Sequence, residues 1–167
     1  MNTTNQRELL ILRHGKSSWD SFASDFERTL TDQGQQHVER VGHFLQQNDL
    51  IPDFILSSPA QRAIHTATII CQSLGIDSNT IQTDGQIYNA QVEDLLTALS
   101  QCPEKSQRVL LVGHNPGLEE LVNVVANSAE HLSPATLVQL GTDNDWQQLD
   151  SACARLISVT HGKKLTD

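Results

Sequence analysis

The sequence lacks the cysteine and histidine spacings that indicate a bound metal or a disulfide framework. Its three cysteines, Cys71, Cys102 and Cys153, are an odd number without metal-like or redox-like spacing, so reduced thiols are expected. There is no HExxH motif, and no histidine is paired with cysteines at ligand spacing. Neither a metal nor a cofactor is therefore expected.

Long hydrophobic runs are also absent. No run approaches the roughly twenty apolar residues that a membrane span requires. The first six residues, Met1 to Gln6, are polar rather than apolar. These features predict a soluble cytoplasmic protein without a membrane partner.

Basic residues are scarce. The chain has 20 acidic and 11 basic residues, which gives a formal net charge of -9. Nucleic-acid binding depends on clustered Lys and Arg, so the composition argues against a nucleic-acid partner. A Walker loop and a GxGxxG motif are both missing, which excludes the common nucleotide-binding loops. No repeat or linker divides the chain, and we expect a single domain over residues 1–167.

Apolar runs alternate with helical patterns along the chain, which predicts an α/β fold with a mainly parallel sheet. Strands are predicted near 8–13, 53–57, 79–83, 108–113 and 136–141. Helices are predicted after Thr31, from Pro59 to Gly75, around Leu95 to Leu99, and from Pro116. The segment after Thr136 is interpreted as a strand, a turn and an antiparallel return, with Trp146 after the turn.

Two histidines each follow a four-residue aliphatic run. Residues 9–12 lead into Arg13-His14-Gly15, and residues 109–112 lead into Gly113-His114-Asn115. Because buried parallel strands end at one edge of a sheet, both histidines are expected at the edge where α/β sheets bind ligands. Arg62 follows a third strand exit and supplies another cation. Two arginines and two histidines at one edge favour a phosphoryl ligand, which is anionic and accepts several hydrogen bonds.

The residue types suit transfer of a phosphoryl group. A histidine attacks phosphorus through a neutral ring nitrogen, so its other nitrogen must hold the proton against an acceptor. A tight turn at His14 and Gly15 offers a backbone carbonyl, and Gly15 lets amide groups approach a phosphate. Arg13 and Arg62 can hold the non-bridging oxygens. A bound anion favours the protonated form of His114, which can then donate a further hydrogen bond.

Each of these residues also has an ordinary structural interpretation. A single histidine after a strand is usually a turn or core residue, and Arg62 alone would more often form a surface salt bridge. Ser57-Ser58-Pro59 alone indicates only a helix start, and Gly113 and Gly117 suit ordinary turns. Two histidines at equivalent strand exits favour the functional interpretation.

Taken in order, the motifs resemble the histidine phosphatase superfamily, which has the phosphoglycerate-mutase-like fold, and most closely its SixA-type phosphohistidine phosphatases. The matching segments are Leu12 to Asp20, Asp25 with Arg28 to Thr31 and Gly34, Ser57 to Ala63 with Thr66 and Ala67, Tyr88 to Ala90, Val112 to Gly117, Pro134 to Thr136, and Trp146. The similarity spans nearly the whole chain. It implies a three-layer α/β/α phosphatase that uses no metal.

The resemblance also implies roles for individual residues. His14 would be the nucleophile that is transiently phosphorylated, and Arg13, Arg62 and His114 would complete the phosphate pocket. Four residues next to these motifs are expected to contact the substrate: Gly15, Lys16, Ser17 and Asn115. Water would complete the second step.

One departure from the larger family members bears on the substrate. They use a carboxylic acid to protonate the leaving alkoxide, whereas Tyr88-Asn89-Ala90 stands at the matching place here. Glu93 and Asp94 are expected to be solvated helix residues. An imidazole protonated on its other nitrogen leaves phosphorus as a neutral base and needs less help from an acid. The incomplete site and the compact chain therefore favour phosphohistidine on another protein, such as a histidine phosphotransfer domain.

Two alternatives remain open from the sequence. The chain could be a broad phosphomonoesterase acting on a small phosphorylated substrate; a mutase fits less well because the acid is missing. It could also be a non-catalytic module that binds phosphorylated partners. A pure binder needs no nucleophile, so the presence of both His14 and His114 argues against the second alternative.

Overall fold

The computed structural model describes residues 6–19 and 22–166. The strands in these residues are β1 (Arg7–Arg13), β2 (Phe54–Ser57), β3 (Gln82–Thr83), β4 (Arg108–Gly113), β5 (Thr136–Thr142) and β6 (Ala154–His161). The α-helices are α1 (Asp32–Gln47), α2 (Gln61–Leu74), α3 (Val92–Ser100) and α4 (Gly117–Ala126). None of the helices in the described residues is long and apolar enough to cross a membrane.

The strands form one sheet in the order β3-β2-β4-β1-β5-β6. In this spatial order, each of the first four strands, β3, β2, β4 and β1, is parallel to its neighbour. Strand β5 is antiparallel to both β1 and β6. Arg13 at the end of β1 pairs with Gly113 at the end of β4, and Ser57 at the end of β2 pairs with Val112. The three strand exits that precede His14, Ser58 and His114 therefore meet at one edge, as the sequence predicts.

Helices cover both faces of the sheet because the central strands are apolar on both sides. In β1, Leu9 and Ile11 pack on the face that α3 and α4 cover. Leu10 and Leu12 pack on the opposite face, against residues of α1 and α2. The predicted three-layer α/β/α arrangement with a mainly parallel sheet is confirmed.

Local signals set two helix ends as predicted. The side chain of Thr31 accepts a hydrogen bond from the Gly34 amide and caps the start of α1. Gly75 ends α2 in the left-handed conformation, with φ of 69°.

The cysteines are free thiols, and Cys71 and Cys102 are buried. Burial raises the pKa of the Cys102 thiol to about 12, with a further contribution from the Asp53 carboxylate, so this thiol stays protonated at neutral pH.

The strand predicted at 79–83 is too long. Only Gln82 and Thr83 pair with β2 at the edge of the sheet. Residues 78–80 form a 3-10 turn instead, because the Asp77 carboxylate accepts a hydrogen bond from the Asn79 amide and closes the turn.

The antiparallel return is confirmed as β6, but it begins at Ala154. Trp146 lies before it, in a 3-10 turn, and is fully buried against the core beneath α3. Its indole N–H donates to the Ser106 carbonyl oxygen at 2.8 Å. This long-range hydrogen bond and the burial of the indole fix the turn, and neither is visible in the local sequence.

Candidate active site

A cavity of about 360 Å³ opens at the carboxyl edge of the sheet. We call it the cationic pocket. The four predicted catalytic residues line it, together with three of the four predicted substrate contacts. Its lining residues are Arg13, His14, Lys16, Ser17, Trp19, Arg28, Arg62, His114, Asn115 and Pro134.

His14 is held in one tautomer by the backbone. Its ring is buried, and Nδ1 lies 2.7 Å from the Gly15 carbonyl oxygen, which can only accept a hydrogen bond. Nδ1 therefore carries the proton and donates it to this carbonyl. The other nitrogen, Nε2, accepts from Nε of Arg62 at 3.3 Å. Nε2 thus keeps its lone pair, which is the state that nucleophilic attack requires.

The surroundings of His14 keep its imidazole neutral. The pKa of His14 is lowered to about 3, mainly by burial and also by the nearby His114, Arg62 and Arg13, while the hydrogen bond to Gly15 opposes the shift. At neutral pH the ring is uncharged, so the Nε2 lone pair is available.

The two predicted arginines are fixed by backbone carbonyl oxygens and, for Arg62, also by a carboxylate. Arg62, in the first turn of α2, donates from Nη1 to the Asp25 carbonyl at 2.6 Å and from Nη2 to the Asp25 carboxylate at 3.1 Å. Arg13, at the end of β1, donates from Nη1 to the Leu132 carbonyl at 2.9 Å. These contacts hold both guanidinium groups at the pocket wall without using all of their donors.

His114 faces His14 across the pocket, with 5.0 Å between the ring centroids. Its Nε2 lies 2.8 Å from Oγ of Ser58, while its Nδ1 is buried without a hydrogen-bond partner among the described residues. Burial lowers the pKa of His114 to about 4, and Arg62 contributes in the same direction. A bound phosphoryl dianion would raise this pKa again, because an opposite charge favours the protonated ring.

Asp25, Arg28 and Tyr88 form a network at the pocket rim to which the sequence assigned no role. The Asp25 carboxylate accepts hydrogen bonds from Arg62, from Arg28 at 3.0 Å and from the Tyr88 hydroxyl. The Tyr88 hydrogen bond is the main cause that lowers the pKa of Asp25 to about 2. The three residues belong to the motifs quoted above, but only the fold brings them together. Asp20 of the same amino-terminal motif lies outside the described residues.

Thr66 was also missed, and it changes the interpretation of Gly15. Oγ1 of Thr66 accepts from the Gly15 amide at 3.1 Å and donates to the Arg62 carbonyl at 2.8 Å. The Gly15 amide is therefore already bonded within the protein and does not point to a ligand. Glycine is needed here because an added Cβ would lie 2.8 Å from Cγ2 of Val38 and 2.9 Å from the Gly34 carbonyl oxygen.

The other predicted substrate contacts differ in how firmly they are held. Lys16 is exposed, and its Nζ donates to Oε1 of Gln33 at 3.3 Å. The Ser17 hydroxyl is buried and accepts from Arg28. Asn115 donates from Nδ2 to the Leu132 carbonyl at 2.7 Å, whereas its buried Oδ1 has no partner among the described residues.

No carboxylate lines the cationic pocket in the part of the chain that the structure describes. Asp94 accepts a hydrogen bond from the Gln91 amide in a capping box at the start of α3. Glu93 is exposed and lines a neighbouring cavity of about 730 Å³, which shares His114 and Asn115 with the cationic pocket. Residues 6–19 and 22–166 also contain no group of three His, Cys, Asp or Glu side chains placed to hold a metal ion.

Solved structures share this fold over nearly the whole chain. A candidate phosphohistidine phosphatase SixA from Nakamurella multipartitia superposes with a TM-score of 0.84 at 23% identity, over 93% of this chain and 96% of that one. A candidate SixA from Agrobacterium tumefaciens gives 0.77 at 27% identity, over 92% and 97%. The protein histidine phosphatase SixA complexed with tungstate gives 0.81 at 19% identity, over 93% and 97%.

Sequence comparison finds a local similarity to phosphoglycerate mutases and a weaker similarity over most of the chain to an uncharacterised protein. A 2,3-bisphosphoglycerate-dependent phosphoglycerate mutase from Bifidobacterium longum is 37% identical over 65 residues, which cover 37% of this chain and only 26% of the mutase. An uncharacterised chloroplastic protein from Arabidopsis thaliana is 27% identical over 158 residues, 88% of this chain and 72% of that protein. The family model of the histidine phosphatase superfamily (branch 1) matches residues 9–86. Residues 9–86 therefore match the histidine phosphatase superfamily, and the described chain as a whole shares its fold with the SixA structures.

Proposed function

We propose that the protein hydrolyses phosphohistidine on a partner protein, through a phosphohistidine intermediate on His14 and without a metal ion. The observation that carries the proposal is the state of His14. Its proton is fixed on Nδ1 by the Gly15 carbonyl, and its unprotonated Nε2 lies in a pocket with Arg13, Arg62 and His114.

In the first step, Nε2 of His14 attacks phosphorus and the bond from phosphorus to the substrate imidazole breaks. The phosphorylated ring of His14 is cationic because Nδ1 keeps its proton, and the Gly15 carbonyl at 2.7 Å stabilises that charge. Nε of Arg62 already lies 3.3 Å from Nε2, so it is placed to bind an oxygen of the transferred group.

The leaving group decides the substrate class. A phosphohistidine whose second nitrogen is protonated leaves as neutral imidazole and needs no proton from the enzyme. An alkoxide needs an acid, and Asp25 is ionised at neutral pH because its pKa lies at about 2. Asp25 therefore has no proton to donate, which suits transfer from an imidazole better than transfer from an alcohol.

In the second step, water attacks the phosphorus atom and the bond from phosphorus to Nε2 breaks. Its electron pair returns to Nε2, which restores the neutral ring with its proton on Nδ1. Both protons of the water stay on the product, which leaves as dihydrogen phosphate. His114, whose pKa is lowered to about 4 in the free chain, would take up a proton beside the bound phosphoryl dianion, and the protonated ring would then donate to an oxygen.

A small-molecule phosphomonoesterase is the second candidate. The local identity of 37% over 65 residues to a phosphoglycerate mutase favours it. The absence of a protonated carboxyl group in the described pocket argues against it.

The test compares phosphate release from a phosphohistidine-containing phosphotransfer protein and from p-nitrophenyl phosphate, in EDTA. We expect release by the native chain, and none by His14→Ala. The control is His43→Ala, which changes an exposed histidine of α1. Acid-labile phosphate on the native chain alone would identify the intermediate.

Each outcome separates the candidates. Faster turnover of the phosphohistidine protein supports the proposal, and comparable turnover of both substrates supports the phosphomonoesterase. Activity that EDTA abolishes would overturn metal independence. Activity that survives in His14→Ala would overturn the nucleophile.

A further inference from the structure

A second positively charged cavity lies beside the cationic pocket. It has a volume of about 450 Å³ and is lined by Lys16, Lys163 and Lys164, with Gln33, His37, Ser133 and Pro134. We call it the lysine cavity. The chain has only four lysines, and three of them line this one cavity. The cationic pocket and the lysine cavity share Lys16 and Pro134, so a group bound in one is next to a group bound in the other.

The two carboxyl-terminal lysines are held in place by the fold. They lie in a 3-10 turn, Gly162–Lys164, that follows β6 and packs against α1. The buried Gly162 donates from its amide to the Ala135 carbonyl at 2.9 Å. An added Cβ on Gly162 would lie 2.9 Å from the His37 carbonyl, so the turn rests directly on the backbone of α1. Leu165 then packs against the core beneath this helix.

The positive charge of the lysine cavity is not balanced by acidic groups of its own wall. Among residues 6–19 and 22–166, no aspartate or glutamate lines it, although the whole chain carries a net charge of -9. Its charge also acts on His37, whose pKa is lowered first by burial and then by Arg40, Lys16 and Lys163. A cavity lined by one sign of charge attracts ligands of the other sign.

We propose that the lysine cavity binds acidic side chains that flank the phosphohistidine of the partner protein. This inference rests on the proposed function, because it places the phosphoryl group in the cationic pocket. Residues of an extended chain are spaced by about 3.3 to 3.6 Å, so a carboxylate one or two residues away reaches a neighbouring cavity. The acidic remainder of the surface repels the same carboxylates, which restricts the orientation in which an acidic partner docks.

The test uses two phosphohistidine peptides that differ only in their flanking residues, Asp and Glu in one and Asn and Gln in the other. For the native chain we expect KM to be about three- to tenfold lower for the acidic peptide than for the Asn and Gln peptide. Two exposed charge pairs contribute a binding free energy of that size. Lys163→Gln with Lys164→Gln should abolish this preference and leave turnover of p-nitrophenyl phosphate unchanged. The preference should also weaken at high salt.

A matched control removes the same charge elsewhere. Lys105→Gln with Arg155→Gln changes two exposed residues at the opposite edge of the sheet. Lys105 precedes β4, and Arg155 lies at the start of β6. This variant should keep the preference. If it loses the preference as fully as the Lys163 and Lys164 variant does, the effect is one of net charge and the lysine cavity is not the site.

Binding is measured separately, by calorimetry with both peptides in a His14→Ala background whose fold is verified by circular dichroism. Equal Kd values for the two peptides, or no binding of either, would overturn the inference, whatever the native chain hydrolyses. Failure of the native chain to release phosphate from either peptide would instead count against the proposed function. The two failures are therefore distinguishable.

Discussion

His14 and His114 are uncharged in the free protein although the pocket is built to hold an anion. Burial removes the water that would stabilise imidazolium, and the arginines of the pocket add repulsion, so the pKa values fall to about 3 and about 4. The pocket is therefore cationic through its arginines and Lys16, while its histidines supply lone pairs.

We expect the imidazole signals of His14 and His114 to show no titration midpoint between pH 8 and pH 5 in an NMR experiment on the free chain. An unperturbed histidine would titrate near 6.5. Tungstate or phosphate in the pocket should raise the pKa of His114, since a bound dianion favours the protonated ring. A midpoint above pH 6 for His14 in the free chain would contradict the burial argument.

The lowered pKa values also set how stability depends on pH. The unfolded chain takes up protons on these histidines below about pH 6.5, while the folded chain does not until its own lower pKa values are reached. The free energy of unfolding therefore falls as pH decreases through this window, by at most about 1.4 kcal/mol per pH unit for each histidine.

At the scale of secondary-structure elements, one side chain of α2 joins two parts of the site. Thr66 bonds the Gly15 amide of the turn after β1 and the Arg62 carbonyl one helical turn before it. The nucleophile and the arginine beside it therefore share a support, although 48 residues separate them in sequence.

Thr66→Val keeps the side-chain shape but leaves the buried Gly15 amide without an acceptor. We expect a loss of about 1–3 kcal/mol in the free energy of unfolding and a lower kcat, because the turn that carries His14 loosens. Urea denaturation and steady-state kinetics measure the two effects.

Thr68→Val is the matched control. Thr68 lies in the same helix and makes the same kind of bond, from Oγ1 to the Ile64 carbonyl at 2.9 Å, but no contact with the turn after β1 is made by that hydroxyl in the described residues. It should change kcat little. Equal losses of kcat in both variants would mean that Thr66 acts only through the helix, and recovery of kcat in Thr66→Ser would confirm the hydroxyl.

The elements differ in how far the sequence predicts them. The four-residue apolar runs of β1 and β4 and the cap at Thr31 are local signals, and the structure agrees with them. The two-residue β3 depends on pairing with β2, which no local pattern encodes. Within the site, the motifs predict the residues around His14 and His114. The contact of Asp25 with Tyr88 joins residues 63 positions apart and becomes evident only in the folded chain.

Across the whole molecule, the candidate site and the buried Trp146 lie at opposite ends of the parallel strands. The site lies at the carboxyl edge of the parallel strands. Trp146 bonds Ser106, which precedes β4 and so lies at the opposite edge. Changes at Trp146 should therefore affect folding without altering the pocket.

Trp146→Phe removes the indole N–H, leaves the Ser106 carbonyl without this donor and opens space in the core. We expect the free energy of unfolding to fall by about 2–3 kcal/mol, while kcat/KM of the folded protein stays the same. Trp19→Phe changes a side chain that is 83% exposed and should leave stability nearly unaltered. A reduced kcat/KM in the Trp146 variant at a temperature where it is fully folded would show that the two edges are coupled.

The contrast between the two tryptophans has a spectroscopic consequence. Trp19 lies at the mouth of the cationic pocket, and the guanidinium carbon of Arg28 sits 3.5 Å from the centre of its ring. An oxyanion that enters the pocket meets this guanidinium and alters the electric field at the Trp19 indole. Trp146 is shielded from water, so its emission is a constant background. The unlabelled protein can therefore signal ligand binding through its own fluorescence.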